Sequence, residues 1–113
     1  MQDSILVSVK KALGIQADYD GFDNQIIIGI NSAIFNLYQM GIGTTAFVVS
    51  GIEETWSTLL TGSTNMEAVK LYVVLSTRMV FDPPGTSFLI EATNKVISEL
   101  GWRITMENDI ATP

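Results

Sequence analysis

Residues 80–90 read VFDPPGTSFLI, and this stretch decides the fold because it interrupts two long helical patterns. Proline lacks the N–H that a helix interior needs, and it disfavours the helical conformation in the residue before it. Two adjacent prolines therefore predict a stiff break. Thr86 or Ser87 can then cap the next helix, since a side-chain oxygen there accepts a hydrogen bond from a free backbone N–H. The predicted turn of a helical hairpin comprises Asp82, Pro83, Pro84, Gly85, Thr86 and Ser87.

The segments on either side of this break have apolar residues at helical spacing. The helix before it is predicted from about Asn65 to Phe81, and it is apolar almost all round, which predicts a central position against several neighbours. The helix after it is predicted to run to about Arg103. Residues 104–113 have no period and predict a flexible tail unless a partner orders it. The predicted buried stripe of the last helix comprises Phe88, Leu89, Ala92, Val96, Ile97 and Leu100.

Two further helices are predicted in the first forty residues. Asp3 or Ser4 can cap the first, and Gly14 ends it. The second begins after a polar break, with Asp20 or Asp23 as the predicted N-cap and Gly41 as the C-cap. Gly29 lies inside this second helix, where it costs about 1 kcal/mol relative to alanine. It predicts a close approach of another helix.

Residues 41–54, GIGTTAFVVSGIEE, form the least helical segment, and we expect a loop with an extended piece over 46–49. The following TWSTLL predicts a short helix that Thr55 caps and that ends at Thr61–Gly62. The chain contains no internal repeat and no domain boundary. The sequence therefore predicts an all-α fold: one domain over residues 1–113, a small bundle of four to five helices with a C-terminal helical hairpin and a flexible C-terminal tail.

The composition bears on function. Hydrophobic residues make up 47% of the 113 residues and charged residues 16%, below the roughly 25% of an average domain. A small protein of this kind often covers apolar surface by forming an oligomer. The net charge of −6 argues against non-specific binding of nucleic acid, which relies on lysine and arginine to neutralise phosphates. No apolar run reaches the roughly 20 residues of a membrane span, and the N-terminus has no secretory signal pattern, so synthesis in the cytoplasm is expected.

The sequence offers no candidate catalytic, metal or cofactor site that meets the requirements of its chemistry. The chain has no cysteine and no histidine, which removes the commonest general base and transition-metal ligand. Asp18, Asp20 and Asp23 suggest a calcium loop, but counted from Asp18 the twelfth position is Gly29, where a bidentate glutamate belongs. Glu53 and Glu54 are adjacent and have no evident nucleophile as partner. We therefore expect no enzyme, no metal and no cofactor.

Some large or charged residues are candidates for contacts between subunits. Trp56 and Trp102 are interpreted as core or interface anchors, because no basic groove accompanies them for stacking on bases. Arg78 and Glu91 flank the hairpin turn and are predicted to pair, either within the chain or across an interface. The inter-subunit candidates are Arg78, Glu91, Phe47 and Trp56.

The C-terminal half of the chain resembles small head–tail connector (adaptor) proteins of long-tailed bacteriophages. The resemblance rests on an apolar helix that ends in R-x-x-F-D-P-P, on Thr86–Ser87, and on a helix that closes with E-L-x-W-R. The segment 54–60, ETWSTLL, is also similar, whereas Gly101 departs from the charged or larger residue expected there. The matching residues are Arg78, Phe81, Asp82, Pro83, Pro84, Glu99, Leu100, Trp102 and Arg103.

The resemblance implies a structural virion protein of the phage neck, located at the head–tail interface. It implies a homo-oligomeric, twelve-fold ring under the portal protein that extends the DNA channel, through which DNA passes without specific binding, and that joins a stopper or tail-completion protein. The alternative is a small helical protein-binding or assembly-chaperone module with no virion role. The residues of the tail that the resemblance assigns to portal binding are Arg103, Ile104, Met106, Ile110 and Pro113.

Overall fold

The computed structural model describes residues 4–16, 18–42, 47–59 and 66–111, with the backbone alone described for 107–111. Within these residues there is no strand, and one isolated antiparallel bridge joins Ser4 to Thr55. The all-α class predicted from the sequence is confirmed. The helices of the described part are α1 (Ile5–Ala12), α2 (Asp23–Gln39), α3 (Trp56–Leu59), α4 (Met66–Phe81) and α5 (Ser87–Ala111).

The ends of α1 follow the sequence pattern. The Ser4 hydroxyl accepts a hydrogen bond from the Val7 N–H at 3.3 Å, which satisfies a backbone donor that has no partner within the helix. Gly14 follows the last turn with φ 83°, a conformation that favours glycine. The N-cap is therefore Ser4, and the other candidate, Asp3, lies outside the described residues.

The start of α2 differs from the prediction. Phe22 occupies the N-cap position and makes no side-chain cap hydrogen bond, so the predicted capping by Asp20 or Asp23 is wrong. Asp23 is instead the first residue of the helix, and its carboxylate lies 2.8 Å from the Lys10 ammonium of α1. At the other end the C-cap is Met40, one residue before the predicted Gly41, and Gly41 follows it with φ 95° and donates to the Tyr38 carbonyl at 2.9 Å.

Helix α4 lies at the centre of the bundle, as its all-round apolar sequence predicts. It packs against α2, α5 and α1. Its residues Val69 and Val73 are completely buried, while Leu71 and Val80 remain exposed. The buried hydrophobic core comprises Ile5, Leu6, Val9, Ile26, Ile30, Ala33, Ile34, Leu37, Ile42, Val49, Trp56, Leu59, Val69, Tyr72, Val73 and Ile104.

Helices α2 and α4 approach each other closely at Gly29. A methyl group on this residue would lie 3.0 Å from Thr77 Cγ2 and 3.2 Å from Thr77 Cα. The second distance is to backbone, which cannot rotate away. The close helix approach predicted from Gly29 is therefore present, and it explains a glycine in a helix interior.

Gly29→Ala is expected to lower the free energy of unfolding by up to about 2 kcal/mol, the overpacking cost of about 1–3 kcal/mol less the gain of about 1 kcal/mol in helix propensity. Gly101→Ala is the matched control. It is also a buried helical glycine, but its new methyl would meet Tyr72 and Met40 at 3.5–3.7 Å, an ordinary contact. Chemical denaturation should show a lower free energy of unfolding for Gly29→Ala, and an unchanged or higher one for Gly101→Ala. Equal effects would contradict the close approach.

The hairpin turn between α4 and α5 is formed as predicted. The Asp82 N–H still donates to the Arg78 carbonyl at 2.8 Å, after which the two prolines stop the helical ladder. Thr86 caps α5, since its hydroxyl accepts from the Leu89 N–H at 3.3 Å and its carbonyl accepts from the Ile90 N–H at 3.0 Å. The helix accordingly begins at Ser87.

Helix α5 differs from the prediction at its far end and on its faces. It continues to Ala111 instead of ending near Arg103. Residues 104–111 contain neither glycine nor proline, and each residue added to an existing helix gains a backbone hydrogen bond, so apolar periodicity is not needed there.

The predicted buried stripe of α5 is wrong for most of its members. Phe88, Leu89, Ala92 and Val96 are exposed, while Ile97 and Leu100 pack partly against the core. The face that the helix does bury includes Gly101 and Ile104. Both faces of α5 carry apolar residues, so spacing alone selected the wrong one.

Candidate functional site

The described part of the 41–54 segment is a loop that a single side chain fixes to α2. The Asn31 amide donates from Nδ2 to the Val49 carbonyl at 2.9 Å, and the Val49 N–H donates to Asn31 Oδ1 at 2.8 Å. The paired bonds satisfy both backbone groups of a residue whose side chain is 1% exposed. The predicted extended piece forms no strand over 47–49, and its first residue, Ala46, lies outside the described residues.

Asn31→Ala is expected to cost about 2 kcal/mol of stability, because it leaves two buried backbone groups of Val49 without partners. Ser32→Ala, an exposed neighbour on the same helix, is the matched control and should stay within about 0.5 kcal/mol of the wild type. Urea denaturation measures both. Hydrogen exchange should also accelerate at the Val49 amide in the first variant alone, and an unchanged rate there would contradict the assigned role.

The C-terminal end of this loop is closed by Glu54. Its carboxylate accepts hydrogen bonds from the Ser50 hydroxyl at 2.9 Å and from the Gly51 N–H at 3.2 Å. Desolvation acts to raise the pKa of this carboxyl, but the bonds from Ser50 and Gly51 outweigh it, so the pKa lies below its ordinary value. The Glu54 carbonyl accepts from the Ile5 N–H at 3.0 Å. Glu54 thus holds the loop to the start of α1.

The predicted inter-subunit residues fall into two groups. Trp56 is 1% exposed, with its Nε1–H donated to the Ser8 hydroxyl at 2.7 Å, so it anchors the chain's own core and offers no surface to a neighbour. Phe47 is half-buried and packs against the same core. Arg78 and Glu91 are exposed, and the described residues show no ion pair between them. The expected pairing of these two within the chain is therefore absent.

The residues assigned to portal binding are also divided by the structure. Arg103 and Met106 are exposed on α5. Ile104 is 1% exposed and belongs to the core, because the helix turns this residue towards the bundle. The side chain of Ile110 and the whole of Pro113 lie outside the described residues.

The structure reveals apolar residues on the solvent side of α5, which we name the α5 outer face. Phe88 is 71% and Trp102 65% exposed. Of the two interpretations of Trp102, core anchor or interface anchor, the structure therefore excludes the first, and the indole is available to a partner. Spacing did select Phe88, Leu89 and Val96 of this face, but it could not show that they face solvent. The exposed apolar residues of α5 are Phe88, Leu89, Val96, Trp102 and Met106.

A second exposed apolar feature lies where the start of α2 meets the end of α4. This α2–α4 groove has a volume of about 570 Å³, and two of the residues that line it, Gln25 and Asp82, are polar. Its aromatic side is ordered by edge-to-face packing, because the Phe22 ring centroid lies 5.2 Å from that of Phe81. Ile28 and Val80 remain well exposed in it, at 64% and 58%. The residues that line the groove are Phe22, Gln25, Ile28, Val80, Phe81 and Asp82.

The described residues offer few candidate polar sites compared with these apolar surfaces. Among the described residues, no group of three or more acidic side chains is placed to hold a metal ion, and no helix is long and apolar enough to cross a membrane. Asp23, one of the three aspartates of the rejected calcium loop, pairs with Lys10. The accessible features of the molecule are apolar contact surfaces, which mark interaction with other proteins.

The fold and these surfaces define a small all-helical protein suited to contacts with other proteins. Comparison with known families gives the more specific class: the model of the phage connector protein family matches residues 5–111, so the chain belongs to that family. Neither the curated proteins nor the solved structures gave a match. The resemblance inferred from the hairpin residues is thereby confirmed.

Membership of the phage connector protein family defines the general role of the chain. The family is a structural one, so the chain is a structural connector of a bacteriophage. This role implies a place in the virion and contacts with other head or tail proteins.

Proposed function

We propose that the chain forms a ring in the phage neck, beneath the portal protein, and that this ring extends the DNA channel and joins the capsid to a stopper or tail component. The family match over residues 5–111 is the observation that carries the proposal. The exposed apolar groups on α2, α4 and α5 support it, because a free monomer gains nothing from leaving Ile28, Phe88 and Trp102 in water.

The charge of the chain suits a channel for DNA. Six basic and twelve acidic residues give a net charge of −6, and an acidic wall repels phosphates. DNA can then pass without the contacts that lysine and arginine would make. Strong, salt-dependent binding of duplex DNA to the purified chain would contradict this part of the proposal.

The end of α5 is proposed as the portal contact. Arg103 and Met106 are exposed there, whereas Ile104 serves the core. A chain that ends at Thr105 keeps Ile104 and should retain its thermal stability, yet lose binding to the portal. Arg78 and Glu91, exposed near the hairpin, are proposed to lie at contacts between subunits.

Light scattering coupled to size-exclusion chromatography, with and without the portal protein, tests the proposal, together with immunodetection of the chain in purified particles. The expected result is an oligomer on the portal and the chain in the virion. A chain that is absent from particles and does not bind the portal would instead favour a helical assembly chaperone with no virion role.

A further inference from the structure

We propose that the first turn of α5 in one copy inserts into the α2–α4 groove of a second copy, and that this contact repeats around the ring. The inserted element, which we name the α5 knob, consists of Phe88 and Leu89. The inference rests on the proposed function, since it names the surfaces through which copies associate. Both surfaces are defined by exposure and shape within one chain.

The α5 knob extends past the part of α5 that packs on α4. A methyl group on Gly101 would lie 3.5 Å from Tyr72, which lies nine positions before the end of α4, whereas Gly101 lies fourteen positions after the start of α5. The first five residues of α5 therefore have no counterpart on α4. At 1.5 Å per residue they account for about 7 Å of helix. Phe88 and Leu89 lie in this part, and they are 71% and 51% exposed.

The groove has the complementary form. It is concave, it is lined by Phe22, Ile28, Val80 and Phe81, and it contains no residue of α5. The chain's own knob thus leaves its own groove unfilled. The T-shaped contacts of Phe22 with Tyr19 and Phe81 keep the aromatic rings in place before any ligand arrives. A concave apolar site of this volume accepts one or two large apolar side chains.

The distribution of charge supports a second copy as the occupant. Copies that each carry a net charge of −6 repel one another unless they meet through uncharged surface. Helix α2 has no charged residue after Asp23, and the run 83–90 that leads into and contains the knob has none either. Apart from Asp82, which is one of the residues that line the groove, the groove and the knob are therefore uncharged parts of an acidic chain.

The two surfaces are different from each other, so unless two copies fill each other's grooves in a closed pair, the contact is heterologous and can repeat until a ring closes. This property provides the test. Ile28→Asp removes the groove and keeps the knob, while Phe88→Asp removes the knob and keeps the groove. Both residues are exposed, so neither change disturbs the core, and circular dichroism should show two folded variants.

Light scattering on concentrated protein should give an oligomer of more than two chains for the wild type. Each variant alone should give the monomer mass of 12.3 kDa. An equal mixture should give a dimer and nothing larger, because one intact knob then meets one intact groove. Ser32→Asp, on α2 outside the groove lining, is the control and should assemble as the wild type does.

Several results would overturn the inference. Assembly of Ile28→Asp alone would indicate contact of α5 with α5, and a mixture that stays monomeric would exclude the knob in the groove. The inference would also be overturned if the wild-type protein remained monomeric or formed only dimers. The proposed function is tested by different results, since it would be contradicted if the chain were absent from virions and did not bind the portal. Its failure is therefore distinguishable from a failure of the contact between knob and groove.

Discussion

Trp56→Ala is expected to lower the free energy of unfolding by about 3–5 kcal/mol, the usual cost of truncating a large aromatic residue in a core. Trp56 is the largest of the fully buried side chains and is 1% exposed. Its indole N–H donates to the Ser8 hydroxyl at 2.7 Å, and the Lys70 ammonium lies 5.9 Å from the ring centroid. The change removes packing, a buried hydrogen bond and a cation–π contact together.

Trp102→Ala is the matched control, because it removes the chain's other tryptophan from a position that is 65% exposed. Its stability should stay within about 0.5 kcal/mol of the wild type. Urea denaturation followed by circular dichroism measures both variants. If Trp102→Ala proved the more destabilising of the two, the assignment of Trp56 to the core would be refuted.

The two tryptophans show what can and cannot be predicted from the sequence. Composition and spacing indicate that each tryptophan anchors a contact, but they do not show whether that contact lies in the core or at an interface. Trp56 follows a loop, and only the fold brings its indole to Ser8, 48 residues earlier in the chain. Trp102 lies in a helix with apolar residues on more than one side, and the fold decides which side meets α4. Tertiary packing therefore made one a core residue and left the other exposed.

The hairpin turn was predictable because its determinants are local. Proline chemistry and a threonine cap act within a few residues, and they place the end of α4 and the start of α5 correctly. The close approach at Gly29 was also predictable, since a glycine is unfavourable inside a helix unless a neighbour leaves no room for a side chain. The position of the neighbouring Thr77, by contrast, required the structure.

The candidate surfaces were only partly predictable. Low charge predicts apolar surface for an oligomer, and the structure does expose such surface, but the residues predicted to make contacts included Trp56 and Ile104, which are buried. The groove could not be foreseen, because Phe22 and Phe81 are 59 residues apart and meet only when α2 packs beside α4. Sequence patterns carry no information about such long-range pairs.

The ion pair of Lys10 and Asp23 is a second long-range contact that local rules missed. Dipole and capping rules explain the position of each residue within its own helix. They do not predict that the Lys10 side chain is 2% exposed or that its ammonium lies 2.8 Å from the Asp23 carboxylate. Lys10 also donates to the Tyr19 carbonyl at 2.6 Å. The pair therefore fixes α1, the connecting loop and the first residue of α2 to one another.

Asp23→Ala is expected to lower the free energy of unfolding by about 3–5 kcal/mol, since it leaves a buried ammonium without its carboxylate. Asp20→Ala, an exposed aspartate of the same loop, should change stability by no more than about 0.5 kcal/mol. The double variant Lys10→Met/Asp23→Ala provides the decisive comparison, because a methionine fills the site without a charge. It should be more stable than Asp23→Ala, which is the non-additivity expected of contacting residues. A double variant that proved less stable than Asp23→Ala in urea denaturation would mean that the two side chains stabilise the fold independently.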